Sequence, residues 1–403
     1  MRRLTDDVVA QRTSGLAAFT YAAIALATMC APTHAATQYY SIIDLGVPSG
    51  FDSSEGIDVN DRGQVATRTW ASGHIVGFVW DEGTRTVIDT RFSYNTPHAI
   101  NDHETVVGFT SASAGDSQGF SWEDGDYVLL GHVPGGQDWT RAHAINNAGL
   151  VVGYSLGGSD NSAHFITWQN GQFVDHGKVP VGYDPNPPGQ VRDDSEANDV
   201  NELGQIVGYS RREEYFGERR LLGRAWIWQD GVVTLLPAFT EESEVYQVAT
   251  AINNNGQVLG HSFDEAGVRN PVVWTDGAIE MLGDIPNADT YAKDLNDDGL
   301  VVGWAAQDID INEEGAFLWD LERNPHNLND LLDDSGDGWV LERAHAINNN
   351  GCIVGRGINP AGARRGFLLT PVPEPSTFAL LAMMTVGLLA YGWRRNRSGE
   401  KRS

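Results

Sequence analysis

Seven copies of one short phrase run through the 403-residue chain, and this repetition limits its fold more than any other feature. Aligned on an asparagine, they read IDVNDRGQVAT at Asn60, HAINDHETVVG at Asn101, HAINNAGLVVG at Asn146 and NDVNELGQIVG at Asn201. They continue as TAINNNGQVLG at Asn253, KDLNDDGLVVG at Asn296 and HAINNNGCIVG at Asn348. Successive asparagines stand 41, 45, 55, 52, 43 and 52 residues apart. A period of roughly 40 to 50 residues is that of a four-stranded propeller blade.

Each phrase reads as strand, tight turn, strand. An aliphatic residue precedes the asparagine, and six copies carry glycine three residues after it (Gly63, Gly149, Gly204, Gly256, Gly299, Gly351). Asparagine can bond its own backbone at the start of a turn, and glycine supplies positive φ at the end. The second copy has Glu104 in the glycine place, which predicts a looser turn or one of another type. Downstream, six copies carry a tryptophan after an apolar run, at Trp80, Trp122, Trp168, Trp228, Trp274 and Trp319. Five continue as WDEG, WEDG, WQNG, WQDG and WTDG, the strongest short hairpin signal, whereas Trp319 continues as WDLE. Each unit is therefore four strands, here called a, b, c and d.

The last unit has a, b and a c strand at Gly366–Thr370, then no d strand. An orphan d-like strand, YYSIIDLG, stands before the first unit at Tyr39–Gly46. Pairing the first strand with the last three closes a ring and removes the open edges. The expectation is an all-β fold: a seven-bladed β-propeller over 36–371, closed by an N-terminal strand.

Repetition weakens chemical readings of single residues. His345 shares its place in the repeat with His98 and His143, and Asn198, Thr250 and Lys293 fill it elsewhere. A catalytic group is not copied three times around a pseudo-symmetric fold, so these histidines read as structural. Cys352 reads as a strand thiol. No catalytic or cofactor-binding set emerges. Asp308–Gly315 and Asp333–Gly338 are rich in oxygen ligands, and calcium is the one ion worth weighing. The second begins like an EF-hand loop with Asp333, Ser335, Asp337 and Gly338, but Ala344 stands where the bidentate glutamate belongs, so both read as solvated acidic loops. The long insertions Val179–Glu196 and Arg211–Arg220 read as loops and as the candidate binding surface.

The two ends are of another kind. Arg2, Arg3 and Arg12 precede an apolar stretch ending in small residues, a secretory signal peptide over 1–35 with cleavage at Ala35. Residues 372–403 hold a proline-rich linker, an apolar helix expected over Phe378–Trp393, and Arg394, Arg395 and Arg397. Sixteen residues make roughly 24 Å of helix, short against a hydrocarbon core of about 30 Å. The arginines favour the cytoplasmic side, which leaves the propeller outside. Formal net charge is −27. Setting aside the 8 basic and 3 acidic residues of 1–35 and 377–403 leaves 19 against 51, which argues against a nucleic-acid partner.

Two pieces resemble known families. The units, with Ala316-Phe317-Leu318-Trp319 and Ala251–Gly260 the closest matches, resemble the HAF extracellular repeat, which implies an exported repeat protein and brings no catalytic residues. The tail resembles the PEP-CTERM sorting signal, carried by Pro373, Glu374 and Pro375, the apolar segment, and Arg394 and Arg395. That resemblance implies an exosortase-type processing enzyme as partner, transient residence in the inner membrane, and release to the surface or matrix of a Gram-negative bacterium that makes exopolysaccharide. The expected function is a non-enzymatic surface or matrix protein whose loops bind polysaccharide or other surface partners. The alternative is an extracellular propeller enzyme, a hydrolase or lyase, acting on glycans.

Overall fold

A computed structural model describes residues 38–373, apart from short segments at 72, 90–91, 93, 112–116, 158–161, 181–189, 216–218, 240–245, 264–267 and 307–313. The described residues are all-β. They form five four-stranded sheets and one eight-stranded sheet. The latter is two four-strand units joined by a single parallel bridge, Ile75 with Tyr94. Every sheet is an antiparallel meander in which neighbours in sequence are neighbours in space, except at the seam. There Tyr40–Asp44 pairs with Arg364–Pro371, with Tyr40 opposite Pro371 and Asp44 opposite Phe367. The N-terminal strand thus completes the last unit, as the orphan strands require. This is a β-propeller architecture.

The two turn signals act as their chemistry predicts. In all seven a–b turns the residue three after the asparagine donates its N–H to the asparagine carbonyl, at 2.9–3.1 Å. Glu104 does the same at 3.0 Å and holds φ +66. The second turn is therefore the common turn and not a looser one. A non-glycine residue bears the strain of the left-handed region there, and Gln64 Nε2 donates to its carboxylate at 3.0 Å. In the five c–d hairpins both central residues have positive φ, from Glu82-Gly83 to Asp276-Gly277, as a type I′ turn demands. After Trp319 the chain makes a four-residue turn in which Arg323 N–H meets Asp320 O at 2.9 Å and Arg323 takes φ +66.

One feature of the a strands leaves little trace in the sequence. Each carries a register shift three residues before the asparagine, where one extra residue is inserted: Ile57, His98, His143, Asn198, Thr250, Lys293 or His345. Such a bulge re-aims its side chain. The residue just before it faces the b strand across a pair that always contains one glycine. The pairs run from Gly56–Thr67 and Pro97–Gly108 to Ala344–Gly355. A Cβ at Gly260 would lie 2.1 Å from the Val248 carbonyl oxygen. In the first unit the glycine stands on the a strand instead, as Gly56, where a Cβ would meet Val354 of the last unit at 3.0 Å.

The long insertions are only partly loops. Residues 190–196, 211–215 and 219–220 extend the fourth unit as strands, Gln190–Val200, Ile206–Tyr215 and Arg219–Gln229. Opposite charges face one another across the ladder: Arg212 holds Asp193 at 2.7 Å and Arg211 holds Asp194 at 2.7 Å. Cross-strand pairing of this kind stabilises strand where composition suggests a polar loop. The acidic turn Asp333–Gly338 also has a structural use. Asp333 accepts from Ser335 N at 2.9 Å and from Ser41 Oγ at 2.8 Å, and its N–H donates to Tyr40 O, so it braces the closing strand.

The core is a set of apolar clusters between neighbouring sheets, with Trp122, Trp226, Trp274 and Trp319 fully buried. Cys352 is half-buried beside one of them. Among the described residues no helix is long and apolar enough to cross a membrane. The helix expected over Phe378–Trp393 lies outside them, as do Ala35, Glu374, Pro375, Arg394 and Arg395; Pro373 is exposed.

Candidate functional site

The repeated asparagines do more than make turns. Each side-chain oxygen accepts from the backbone N–H four residues on, at 2.8–3.0 Å, within its own unit. Each Nδ2 donates to the carbonyl of the next asparagine. Asn60 reaches Asn101 O at 2.9 Å, and so on through the chain until Asn348 reaches Asn60 O at 2.8 Å. Seven bonds close a ring. A second ring lies beside it: the residue after each asparagine donates its N–H to the side chain of its counterpart in the next unit. It runs from Asp61 to Asp102 at 2.9 Å and closes from Asn349 to Asp61 at 2.8 Å. An opening at this end is lined by residues of both rings, among them Asn60, Asp61, Asn348 and Asn349. The donor half of the asparagine was missed by sequence reading. Its signal was present, because the position is never aspartate or serine, and only asparagine offers both an acceptor for the turn and an amide donor for the neighbour.

Just inside the rings, Asp58, Asp199 and Asp294 each accept from the next N–H in their own strand and from Ile100, Ile252 or Ile347 of the following unit, at 2.7–2.9 Å. Protein surrounds them, and each is half-buried. Burial pushes Asp58 up to about 6 and Asp199 up to about 7, and holds Asp294 well above the usual range. Their mutual repulsion adds to the rise in Asp199 and Asp294.

The opposite end of the channel is built from one register and filled differently in every unit. The pair one step beyond the bulge, away from the asparagine turn, is Glu55–Arg68, Thr96–Phe109, Arg141–Tyr154, Glu196–Tyr209, Val248–His261, Tyr291–Trp304 and Arg343–Arg356. The bulge re-aims its own residues toward the same mouth. Contacts bridge neighbouring units. His98 lies 5.5 Å from His143, and Arg141 sits 4.4 Å over Phe109. His345 reaches Glu55 at 3.0 Å with Nε2 and donates Nδ1–H to Gly56 O at 3.1 Å. His98 and His143 make the same kind of bond to Ala142 O and Ala197 O. The three histidines are therefore tethers between units, as the repeat implies.

Electrostatics in this mouth is uneven. Burial pushes Glu55 up, but the His345 bond and charge, with Arg68, hold it well below the carboxylate range. Burial and mutual repulsion lower His98 to about 3, and burial lowers His143 to about 4, so both are neutral at pH 7. Glu196 is raised by burial against the pull of Arg211, and it shares a hydrogen bond with Tyr209. Among the described residues no group of three histidine, cysteine or acidic side chains is arranged to hold a metal ion.

The C-terminal end of this architecture settles one point. Residues 371–397 match the PEP-CTERM protein-sorting motif. That motif marks exported proteins that are membrane-anchored before an exosortase processes them, and Pro373, Glu374, Pro375, Arg394 and Arg395 all fall inside it. Upstream of the sorting motif, residues 166–357 match a family described as protein of unknown function DUF3466. No curated protein matches the chain. Solved structures resemble it at the level of the fold. A streptogramin B lyase has TM-score 0.45 and 10% identity over 83% of this chain and 98% of its own. A puromycin-hydrolyzing peptidase of Mycobacterium tuberculosis has TM-score 0.47 and 10% identity over 84% and 53%. The Aleuria aurantia lectin has TM-score 0.35 and 10% identity over 82% and 100%.

Proposed function

We propose that this protein is an exported seven-bladed propeller that binds glycan at the mouth opposite its asparagine ring, and that it is not an enzyme. The observation that carries the reading is the belt of seven cross-strand pairs. Its backbone register is identical in every blade, and its side chains differ in every blade and are rich in aromatic and arginine groups. Sugars present C–H faces to aromatic rings and hydroxyls to charged groups, and such a mixed rim suits both. In this reading residues 1–35 are removed at Ala35 and the blades are HAF-like repeats. The tail then passes through the inner membrane until an exosortase cleaves near Pro373-Glu374-Pro375. The mature protein belongs to the surface or the polysaccharide matrix of a Gram-negative cell.

A second reading, a glycan-cleaving enzyme, rests on Glu196. Its raised carboxyl, bonded to Tyr209 beside Arg211, has the character of a proton donor. One experiment separates the two. The full chain is screened against a glycan array, and any glycan bound is then incubated with it and assayed for new reducing ends. Binding without cleavage, lost in Tyr154→Ala, supports the binding protein. Cleavage abolished by Glu196→Gln would establish the enzyme, and a blank array would remove the glycan reading.

A further inference from the structure

The mouth is not uniformly charged. Over the fifth to seventh units four side chains form one stack: Arg269, Tyr291, Trp304 and Arg343. The two rings lie 3.9 Å apart and 6° from parallel. The Arg269 guanidinium lies 3.9 Å from the free face of Tyr291, and that of Arg343 lies 3.9 Å from the free face of Trp304. Both aromatic faces are therefore covered, so this sector holds cations in place and has no ring face left for a sugar.

Lys293 occupies the bulge of the same unit. Its side chain opens to solvent within the channel wall, and among the described residues it makes no hydrogen bond and no ion pair. Burial, Arg343 and Arg269 together lower its pKa, and Glu55 pulls the other way. The Glu55 charge is already taken by Arg68 and His345. His261, lowered to about 4 by burial, Arg269 and Lys293, is neutral and offers no compensation. Glu314 serves Arg343 and Arg356, and Glu342 serves Arg356 and Arg364. Among the described residues Arg269, Lys293, Arg343, Arg356 and Arg364 thus face Glu314 and Glu342, with Glu55 beyond them, on a chain of formal charge −27. A positive site kept against the protein's own charge, with one cation unpartnered, is what an anionic ligand would complete.

We infer that this sector is an anion subsite centred on Lys293, with Arg269 and Arg343 beside it, and that it takes the acid group of an acidic polysaccharide such as a uronate polymer. The inference rests on the glycan-binding reading. The polymer is favoured over a free anion because Tyr154 and Tyr209 stand at the same level of the mouth in the third and fourth units. One chain of sugars can lie on them and place a carboxylate at Lys293. The subsite thereby sets specificity for acidic over neutral glycan.

The test is calorimetric titration of the full chain in mild detergent with oligogalacturonate, with a neutral glucan oligomer and with inorganic phosphate. Oligogalacturonate should bind, and should weaken at least about tenfold between about 50 mM and about 500 mM salt. Lys293→Met should weaken it by about tenfold, equivalent to about 1.4 kcal/mol, and Lys293→Arg should restore most of that loss. Because Lys293 has no partner, Lys293→Met should leave the melting temperature unchanged or raised, which separates a binding defect from a folding one. Unchanged affinity in Lys293→Met overturns the subsite. The neutral oligomer binding as tightly as the acidic one overturns it too, while leaving glycan binding standing. Phosphate binding with neither saccharide bound would leave a small-anion site and overturn both the polymer and the glycan reading.

Discussion

The two ends of the central channel are made by the same seven hairpins and could hardly differ more. At the turn end every unit places asparagine, makes the same bonds within itself and hands one bond to the next. At the mouth every unit places a different pair: acid with base, threonine with phenylalanine, arginine with arginine. Backbone register is equal at both ends, so the difference lies in what each end must satisfy. Ring closure requires each unit to present the same donor and acceptor to its neighbour, and one deviation would break two interfaces. The mouth has no such ring of identical bonds to close, and each unit there is free to vary. Identity among repeats marks the architecture, and divergence at a fixed register marks the candidate site.

If that contrast is right, changes at the ring should cost stability and spare binding, and the largest loss should follow from opening the ring altogether. Deleting residues 39–46 removes the closing strand with buried Tyr40, Ile42 and Leu45, a loss of about 5 kcal/mol or more. The variant should aggregate, and a thermal melt that matches the native one would refute the closed ring. Next, Asn253→Asp keeps the turn acceptor but loses the donor to Asn296 O and places a charge at a buried site. A cost of about 2–4 kcal/mol in chemical denaturation is expected, with glycan affinity unchanged. A cost near zero would show that the inter-unit bond is incidental.

The channel aspartates sharpen the comparison through pH. A carboxyl raised in the folded state binds its proton more tightly there than in the unfolded chain. Its contribution to stability is therefore present at low pH and is lost as pH rises from about 4, the unfolded value, through about 7 for Asp199. The buried histidines, lowered toward 3 and 4, act in the opposite sense, so the whole-protein profile is a poor readout. Asp199→Asn isolates the effect. Relative to the native protein it should gain at least about 1 kcal/mol between pH 5 and pH 8, measured by urea unfolding at both. A constant difference would mean that Asp199 is ionised throughout. The smallest effect belongs to Glu104→Gly, which relieves positive φ but gives up the Gln64 bond. Its gain should be within about 1 kcal/mol, seen as a small rise in melting temperature.

Much of this fold is legible in the sequence because propellers are assembled from local hairpins. Asn-x-x-Gly and Trp-x-Asp-Gly specify turns within a few residues, and the missing last strand and orphan first strand declare the closure. What escapes depends on partners far along the chain. The Asn60 amide bonds a carbonyl 41 residues away, and nothing beside Asn60 records it. The bulge at Lys293 adds one residue without a special residue type, and only the glycine opposite hints at it. Arg211 and Arg212 look like a loop until Asp194 and Asp193 are found across the ladder. The mouth was illegible for the same reason that it is interesting, since a register position filled differently seven times leaves no repeated motif.

The seam lies where both ends of the chain meet. Val372 N–H donates to Tyr39 O at 2.8 Å, and Pro371 lies against Gly351, at the asparagine end. The strand that emerges first during synthesis must therefore wait, unpaired, until the last strand arrives more than three hundred residues later. Closure acts as a completion signal, because the circle cannot seal on a truncated chain. The sorting motif begins at that same knot, so whatever grips the tail holds the ring by its asparagine rim.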